Sequence, residues 1–231
     1  MHNSIAMKRN PAKVQGRAVR ILAIADIHGV LSVYEWLLVR ISEEQADVLV
    51  LAGDLLVGAW EEEQREQCQN SIIPLLKKVP VPVLYIMGND DHVTPDYEDG
   101  RIKPIHGKRL DFGGYGFVGY QYSPPFMGGI FEKPETEIEA DTHILEPLLD
   151  DQTVLVSHSP AYGSRDQIYS GERVGSHSLA DLFERRPVLA HIHGHIHDSF
   201  GRDGNHFNVA AAGQCRAYLI ELPFLKDKVL Q

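Results

Sequence analysis

At 231 residues the chain is long enough to bury a sizeable core without disulfides or a structural metal to hold it together. Its formal net charge of −10, from 32 acidic and 22 basic side chains, argues against generic duplex nucleic-acid binding, which leans on Lys and Arg to neutralise phosphates. No apolar run in the sequence approaches the ~20 residues of a membrane-spanning helix, so no membrane association is expected.

Lys8, Arg9, Lys13 and Arg17 make residues 1–17 a basic tail, expected to be flexible, with no apolar stretch of the kind a secretory signal needs. Residues 18–231 are expected to form a single domain. Cys68 and Cys215 lie far apart and form no CxxC pair, so no disulfide framework is indicated and a reducing cytoplasm is the expected location.

Val19 to Ala25 is a short apolar run consistent with a buried strand, and it ends at Asp26-Ile27-His28-Gly29. Leu31, Tyr34, Leu37, Leu38 and Ile41 then recur at helical spacing, with Ser32 as the expected cap and Glu35 three residues on. The unit repeats. Asp47 to Ala52 ends in Gly53-Asp54; a Glu/Gln-rich stretch from Glu61 leads into a helix that Pro74 should break or kink; Val81 to Met87 ends in Gly88-Asn89-Asp90-Asp91-His92. Strands separated by helices argue for βαβ units and parallel pairing, where ligands sit beyond the carboxyl ends of the strands.

Arg109 to Tyr120 reads as turn and strand, in a hairpin. Ser123 to Gly129 is a loop by composition, and this Pro-Pro segment, with Tyr120 and Tyr122, is a candidate wall for a pocket or a subunit contact. Glu132 to Glu139 reads as acidic surface, followed by a short helix over Ile144 to Leu149. Gln152 to Val156 is another strand, ending in Ser157-His158-Ser159-Pro160. A long polar loop follows, then a helix from Ser176, its expected cap, to Arg185. His206 to Ala212 and Arg216 to Leu222 read as two closing strands joined at Gly213.

Between that helix and the closing strands, Pro187 to Ala190 begins a strand that runs into the densest stretch of chemistry. Four of the twelve histidines, His191, His193, His195 and His197, fall at alternate positions within seven residues. Buried imidazoles each need a polar partner, so a plain core strand is a poor home for four. His195 and His197, past Gly194, read as metal ligands on a loop, and His191 and His193 as supporting or core residues. Asp26, His28, Asp54, Asn89 and His158 stand at the other strand ends. Oxygen and imidazole ligands without thiolate suit Mn, Fe, Zn or Ni. Seven are too many for one ion with an open position and about right for two divalent ions sharing a carboxylate, Mn2+ being the first expectation. Two-metal sites hold a low-pKa hydroxide that attacks in line and clamp the displaced oxygen as well. Four positive charges against Asp26 and Asp54 leave such a site cationic, so an acidic protein can still take an anionic substrate.

The blocks Asp26-Ile27-His28, Gly53-Asp54, Gly88-Asn89, His158 and Gly194-His195-Ile196-His197 resemble, in order and spacing, the DxH, GD, GNH, lone H and GHxH blocks of the calcineurin-like metallophosphoesterases. The resemblance implies an α/β fold: a four-layer sandwich of two mixed sheets packed face to face and flanked by helices. It implies that one ion takes Asp26, His28, Asp54 and His197, and the other Asp54, Asn89, His158 and His195. It implies hydrolysis of phosphoric esters. Segments around Ser157 to Pro160 and Val174 to Leu179 also resemble the phosphodiesterase-type branch.

One block departs from the pattern. Where the family's GNH histidine serves as general acid, this chain has Asp90. An ordinary aspartate is already ionised at neutral pH and has no proton to give the leaving group. His92, His177 and Arg165 are the candidate substrate contacts. The expectation is a phosphodiesterase acting on a small phosphorylated substrate, with homo-oligomers possible in principle. The rivals are a phosphomonoesterase or nucleotidase, and a non-catalytic protein-binding scaffold of the same fold.

Overall fold

The computed structural model describes residues 18–95 and 100–231; the tail expected over residues 1–17 lies outside them. Two six-stranded sheets pack face to face. The first contains the three strand runs read early in the chain, β1 (Val19–Ile24), β2 (Val48–Ala52) and β3 (Val83–Ile86), joined by β4 (Ile102–Pro104). All four are parallel neighbours. Two late strands, β11 (Ala217–Leu222) and β12 (Lys226–Leu230), add on antiparallel at the β1 edge.

The second sheet starts with the expected hairpin, β5 (Arg109–Phe112) and β6 (Tyr115–Tyr120), and continues in parallel through β7 (Thr153–Ser157), β8 (Ala190–His193) and β10 (His206–Asn208). Short β9 (Gly201–Asp203) closes its far edge antiparallel. The two closing strands therefore belong to different sheets. Ala25 bridges to Ala210 where the chain passes between them, so the late chain ties the sheets together beside the first ligand loop.

Alternation along the strands divides the interior into three layers of apolar side chains. Ile21, Ala23, Val48, Val50, Leu84 and Ile86 face Phe117, Val154, Val156, Ile192 and Phe207 between the sheets. Leu22, Ile24, Leu49, Leu51 and Tyr85 face the other way, onto α1 (Leu31–Glu43) and the helical segment of α2 (Glu61–Gln67), a π-turn over Cys68–Ile72 and α3 (Ile73–Leu76). Val118, Tyr120 and Leu155 pack against α4 (Glu135–Leu145) and α5 (His177–Arg185). The result is the four-layer αββα sandwich.

Three local readings change. Ser32 does not cap α1: the helix opens at Leu31 after Val30, with no side-chain cap, because the preceding ligand loop feeds it directly. The acidic stretch around Glu135 is a helix rather than open surface. Ile138 and Leu145 are buried beneath α5, and the Glu135 carboxylate accepts from Ser176 Oγ, His177 N and Ser178 N at the start of that helix. The helix expected at Ile144 to Leu149 is the end of α4 plus a 3-10 turn over Glu146–Leu148. Ser176 does cap α5, accepting from Leu179 N at 3.2 Å. Neither Cys68 nor Cys215 is in a disulfide. Among the described residues no helix is long and apolar enough to cross a membrane.

Candidate metal centre

Five strands end on one rim. β1, β2 and β3 of the first sheet deliver Asp26 with His28, Asp54 and Asn89; β7 and β8 of the second deliver His158, His195 and His197. The ligand atoms of Asp26, His28 and His197 lie within 4.8 Å of one another, as do those of Asp26, Asp54 and His158. Asn89 Oδ1 stands 2.9 Å from His158 Nε2. His195 lies outside both three-residue groups; its ring centroid is 5.0 Å from that of His158, at the wall of the same cavity.

The backbone is forced into place here. Asp26, His28, Asp54 and His195 all have positive φ, between 50° and 69°. Non-glycine residues held there cost ~1–3 kcal/mol each and persist where the surroundings over-determine them. The glycines beside them serve close approach. A Cβ on Gly88 would overlap Asp54 Oδ1, one on Gly53 would overlap the His158 ring, and one on Gly194 would overlap the Asp26 carboxylate. Gly194 itself is not at positive φ; the turn falls on His195, and Gly194 is there to clear Asp26.

Residues outside the motifs supply the over-determination. Buried Asp91 accepts from Leu55 N, Leu56 N and Gly88 N at 2.8–3.2 Å, which joins the loops after β2 and β3. Burial, and then the charge of Asp54, push its pKa up to about 7. From α2, Gln64 Nε2 donates to Val57 O and Asp90 O while its Oε1 accepts from His92 N. Gln67 accepts from Val57 N and donates to Gly29 O. The sequence shows these only as an acid beside a ligand and two glutamines in a polar helix; amphipathic spacing carries no mark of what they hold.

The imidazoles are oriented for cations. His158 Nδ1 faces the Ala52 carbonyl at 3.0 Å and must donate to it. In the neutral ring, Nε2 is then a lone pair facing Asn89 Oδ1 and, at 3.4 Å, Asp54 Oδ1. His28 Nδ1 lies 3.2 Å from Asp90 Oδ2, which leaves its Nε2 aimed at His197 Nε2 at 3.3 Å; His197 Nε2 is in turn 3.1 Å from Asp26 Oδ1. Electron pairs converging on shared points are the donor arrangement a divalent ion satisfies, so the residues present fit two ions. In the ion-free chain a proton on His158 takes a cation's place beside Asp54. Burial works to lower the His158 pKa, but Asp54 overrides it and raises it to about 10; His158 and His28 hold Asp54 well below the carboxylate range. Burial, then the His158 charge, lowers His195 to about 4.

Behind the second sheet's ligands lies a buried histidine group. His191 Nε2 is 2.7 Å from Ser157 Oγ and its Nδ1 is 2.9 Å from His206 Nδ1, while His193 Nε2 has no partner among the described residues. Burial, then neighbouring imidazoles, lowers His191 well below the ordinary value and His193 to about 3.

The sequence profile of the calcineurin-like phosphoesterases matches residues 19–199, across all five blocks. The chain belongs to this family. Solved structures similar to this phosphoesterase chain include TT1561 of Thermus thermophilus, with a TM-score of 0.68, 17% identity, and 93% of this chain and 99% of that one covered. Another is a dimetal phosphatase from Danio rerio, with a TM-score of 0.60, 11% identity, and 92% and 98% covered. At these identities the likeness is one of fold. Probable rhamnogalacturonate lyase C of Emericella nidulans is 27% identical over 209 residues. That match takes in 83% of this chain but 18% of the relative, so the chain spans under a fifth of that protein's length.

A cavity of about 210 Å3 opens over the ligands. Its floor includes His28, Asp54, Asn89, His195 and His197, and its rim Asp90, Asp198, Phe126, Met127 and Ile168. The Pro-Pro loop does wall it. Tyr120 and Tyr122 do not: they line a separate cavity with His106 and Lys133. None of the three candidate substrate contacts lines the metal cavity. The backbone N–H of His92 donates to Gln64, His177 stacks on Tyr162 at 3.9 Å, and Arg165 donates to Arg202 O.

Proposed function

We propose that this phosphoesterase is a metal-dependent phosphodiesterase holding two divalent ions, Mn2+ first among them, through Asp26, His28, Asp54, Asn89, His158, His195 and His197, with Asp54 shared. The observation that carries the diester reading is the charge around the cavity. Among the described residues no Lys or Arg lines it, and its rim adds the carboxylates of Asp90 and Asp198. A phosphomonoester brings about 1.5 to 2 negative charges at neutral pH; a diester brings one and needs less compensation. The apolar rim side chains also suit a second ester arm, which a monoester lacks.

With both ions bound, the site gains positive charge against the phosphoryl oxygens and a more acidic water. The chain's own groups set the geometry. Ala52 O and Asp90 fix the tautomers of His158 and His28, and Asp26 receives His195 N–H at 3.0 Å. Water adds its oxygen to phosphorus, the P–O bond to one arm breaks, and an alcohol and a monoester result. Asp90 is engaged with His28, so the departing oxygen takes its proton from solvent, and good leaving groups are favoured.

Bis-ester and mono-ester assayed side by side with manganese test the reading: higher kcat/KM on the bis-ester is expected, and preference for the mono-ester overturns it. Asp90→His is expected to flatten the dependence of rate on leaving-group pKa; an unchanged dependence removes the assignment of Asp90.

A further inference from the structure

The cavity has two unlike halves. Its floor is polar and belongs to the ions. Its mouth, beside the carboxylates of Asp90 and Asp198, carries apolar side chains from two loops, each pinned from behind. On one side Phe126 and Met127 are 55% and 75% exposed, costly positions for large apolar side chains. They are not there by slack. The Glu132 carboxylate accepts from Phe126 N, Met127 N and Gly128 N at 2.8–2.9 Å, and Gly129 packs so tightly on the Asn89 carbonyl that a Cβ would overlap it. On the other side, Tyr169 N donates to Asp198 and Ser199 Oγ to Gln167 O, which holds Ile168 at the cavity. The Phe126 ring stands edge-on to the His195 ring, with centroids 4.8 Å apart.

We propose that this slot seats a flat, uncharged ring on one ester arm, so that the preferred substrates are phosphodiesters carrying a single aryl or nucleobase ring. The proposal rests on the diester reading above and adds what the second arm is. Phenylalanine, a polarisable thioether and a branched aliphatic are the side chains that grip a planar ring. A volume of about 210 Å3 holds a phosphate over the floor and one ring, and is below the ~300 Å3 at which drug-sized ligands become enclosed. An alkyl chain or a second nucleotide would project into solvent.

The test keeps the leaving group constant. The manganese-loaded full chain is given bis(4-nitrophenyl) phosphate, thymidine 5′-(4-nitrophenyl) phosphate and methyl 4-nitrophenyl phosphate. The ring-bearing esters are expected to exceed the methyl ester in kcat/KM by about tenfold, through KM. The aryl and thymidine arms show which ring the slot prefers. Met127→Ala and Phe126→Ala are expected to pull the ring-to-methyl ratio toward one; Met127→Leu should keep most of it. A wild-type ratio near one, or a ratio unchanged in both alanine variants, overturns the proposal. Calorimetric binding of phenylphosphonate against methylphosphonate, to wild type and Met127→Ala, separates the two ideas. If the protein cleaves no diester yet binds phenylphosphonate more tightly in a Met127-dependent way, the diester reading fails and the ring slot stands; equal binding of the two phosphonates sinks the slot.

Discussion

The loops of the first sheet and those of the second meet at one rim, but they bring opposite chemistry. The first sheet supplies every candidate oxygen donor, Asp26, Asp54 and Asn89, with a single imidazole, His28. The second supplies only imidazoles. The first sheet's loops are cross-braced by an acid, Asp91, and by two glutamines of α2; the second sheet's loops are backed by the buried group around His191. Both carboxylates come from one half and three of the four imidazoles from the other. The candidate centre is assembled only because the sheets pack face to face, and each half should fail in its own way when disturbed.

Removing the shared carboxylate should hurt most. Asp54→Ala takes away the group touched by His158 and by Asp90 N. Turnover should fall about a thousandfold, an order of 4 kcal/mol, and metal analysis should show fewer ions per chain. Full occupancy and turnover would remove Asp54 from the centre. The close approach comes next. Gly88→Ala presses on a first-sheet carboxylate from within its own sheet, and Gly194→Ala presses on Asp26 from the second sheet. Both are expected to lose about a hundredfold in activity, with a lower unfolding midpoint from strain. If only Gly88→Ala is impaired, the two halves are less interdependent than the packing implies. Asp90→Asn removes the carboxylate on His28 Nδ1 and should weaken ion affinity by roughly 10–100-fold, with the fold intact; titration calorimetry reads this directly.

Stability against pH separates Asp91 from the buried His191 and His193 by sign. In metal-free protein, Asp91 is raised to about 7, so the folded state holds a proton that the unfolded chain releases near pH 4. Its contribution is present below about 4 and is lost as pH rises through 7; His158, raised to about 10, extends the loss on that side. His193, lowered to about 3, and His191 behave oppositely: the unfolded chain takes up protons below about 6.5 that the folded state refuses. Their contribution is lost as pH falls from there toward 3. Urea midpoints measured across pH with chelator should therefore peak in between. Asp91→Asn should flatten the alkaline limb between about 4 and 7, and His193→Gln the acid limb. An unchanged limb in either variant contradicts the assignment. The smallest effect belongs to a site that serves neither half: Ser176→Ala loses the α5 cap, about 1 kcal/mol or roughly 2–4 °C in Tm, with ion affinity unchanged.

Much of this was legible in residue order. Apolar runs that end in polar residues announced β1, β2, β3, β7 and β8, because burial and strand length leave a mark in local composition. Short edge strands such as β9 and β12 leave little: Lys226–Leu230 is mostly exposed, and only pairing with β11 makes it a strand. Helix α4 was obscured for a similar reason, since its acidic face masks the few positions that Ile138 and Leu145 bury. His92, His177 and Arg165 drew notice by type and nearness in the chain, yet none lines the cavity, and His177 and Arg165 are each turned to another partner.

By itself the sequence determined the family, the identity and order of the candidate donor residues, and the strand ends that carry them, since each motif is local and its chemistry travels with its residues. The tertiary structure alone decided what those residues do to one another. That Asp90 holds His28, that Asp91 ties two loops, that Gly194 yields room to Asp26 while His195 takes the turn, and that Phe126 and Met127 face Ile168 across a cavity all depend on distances between segments remote in the chain. Packing of the two sheets sets those distances, and no local pattern encodes them.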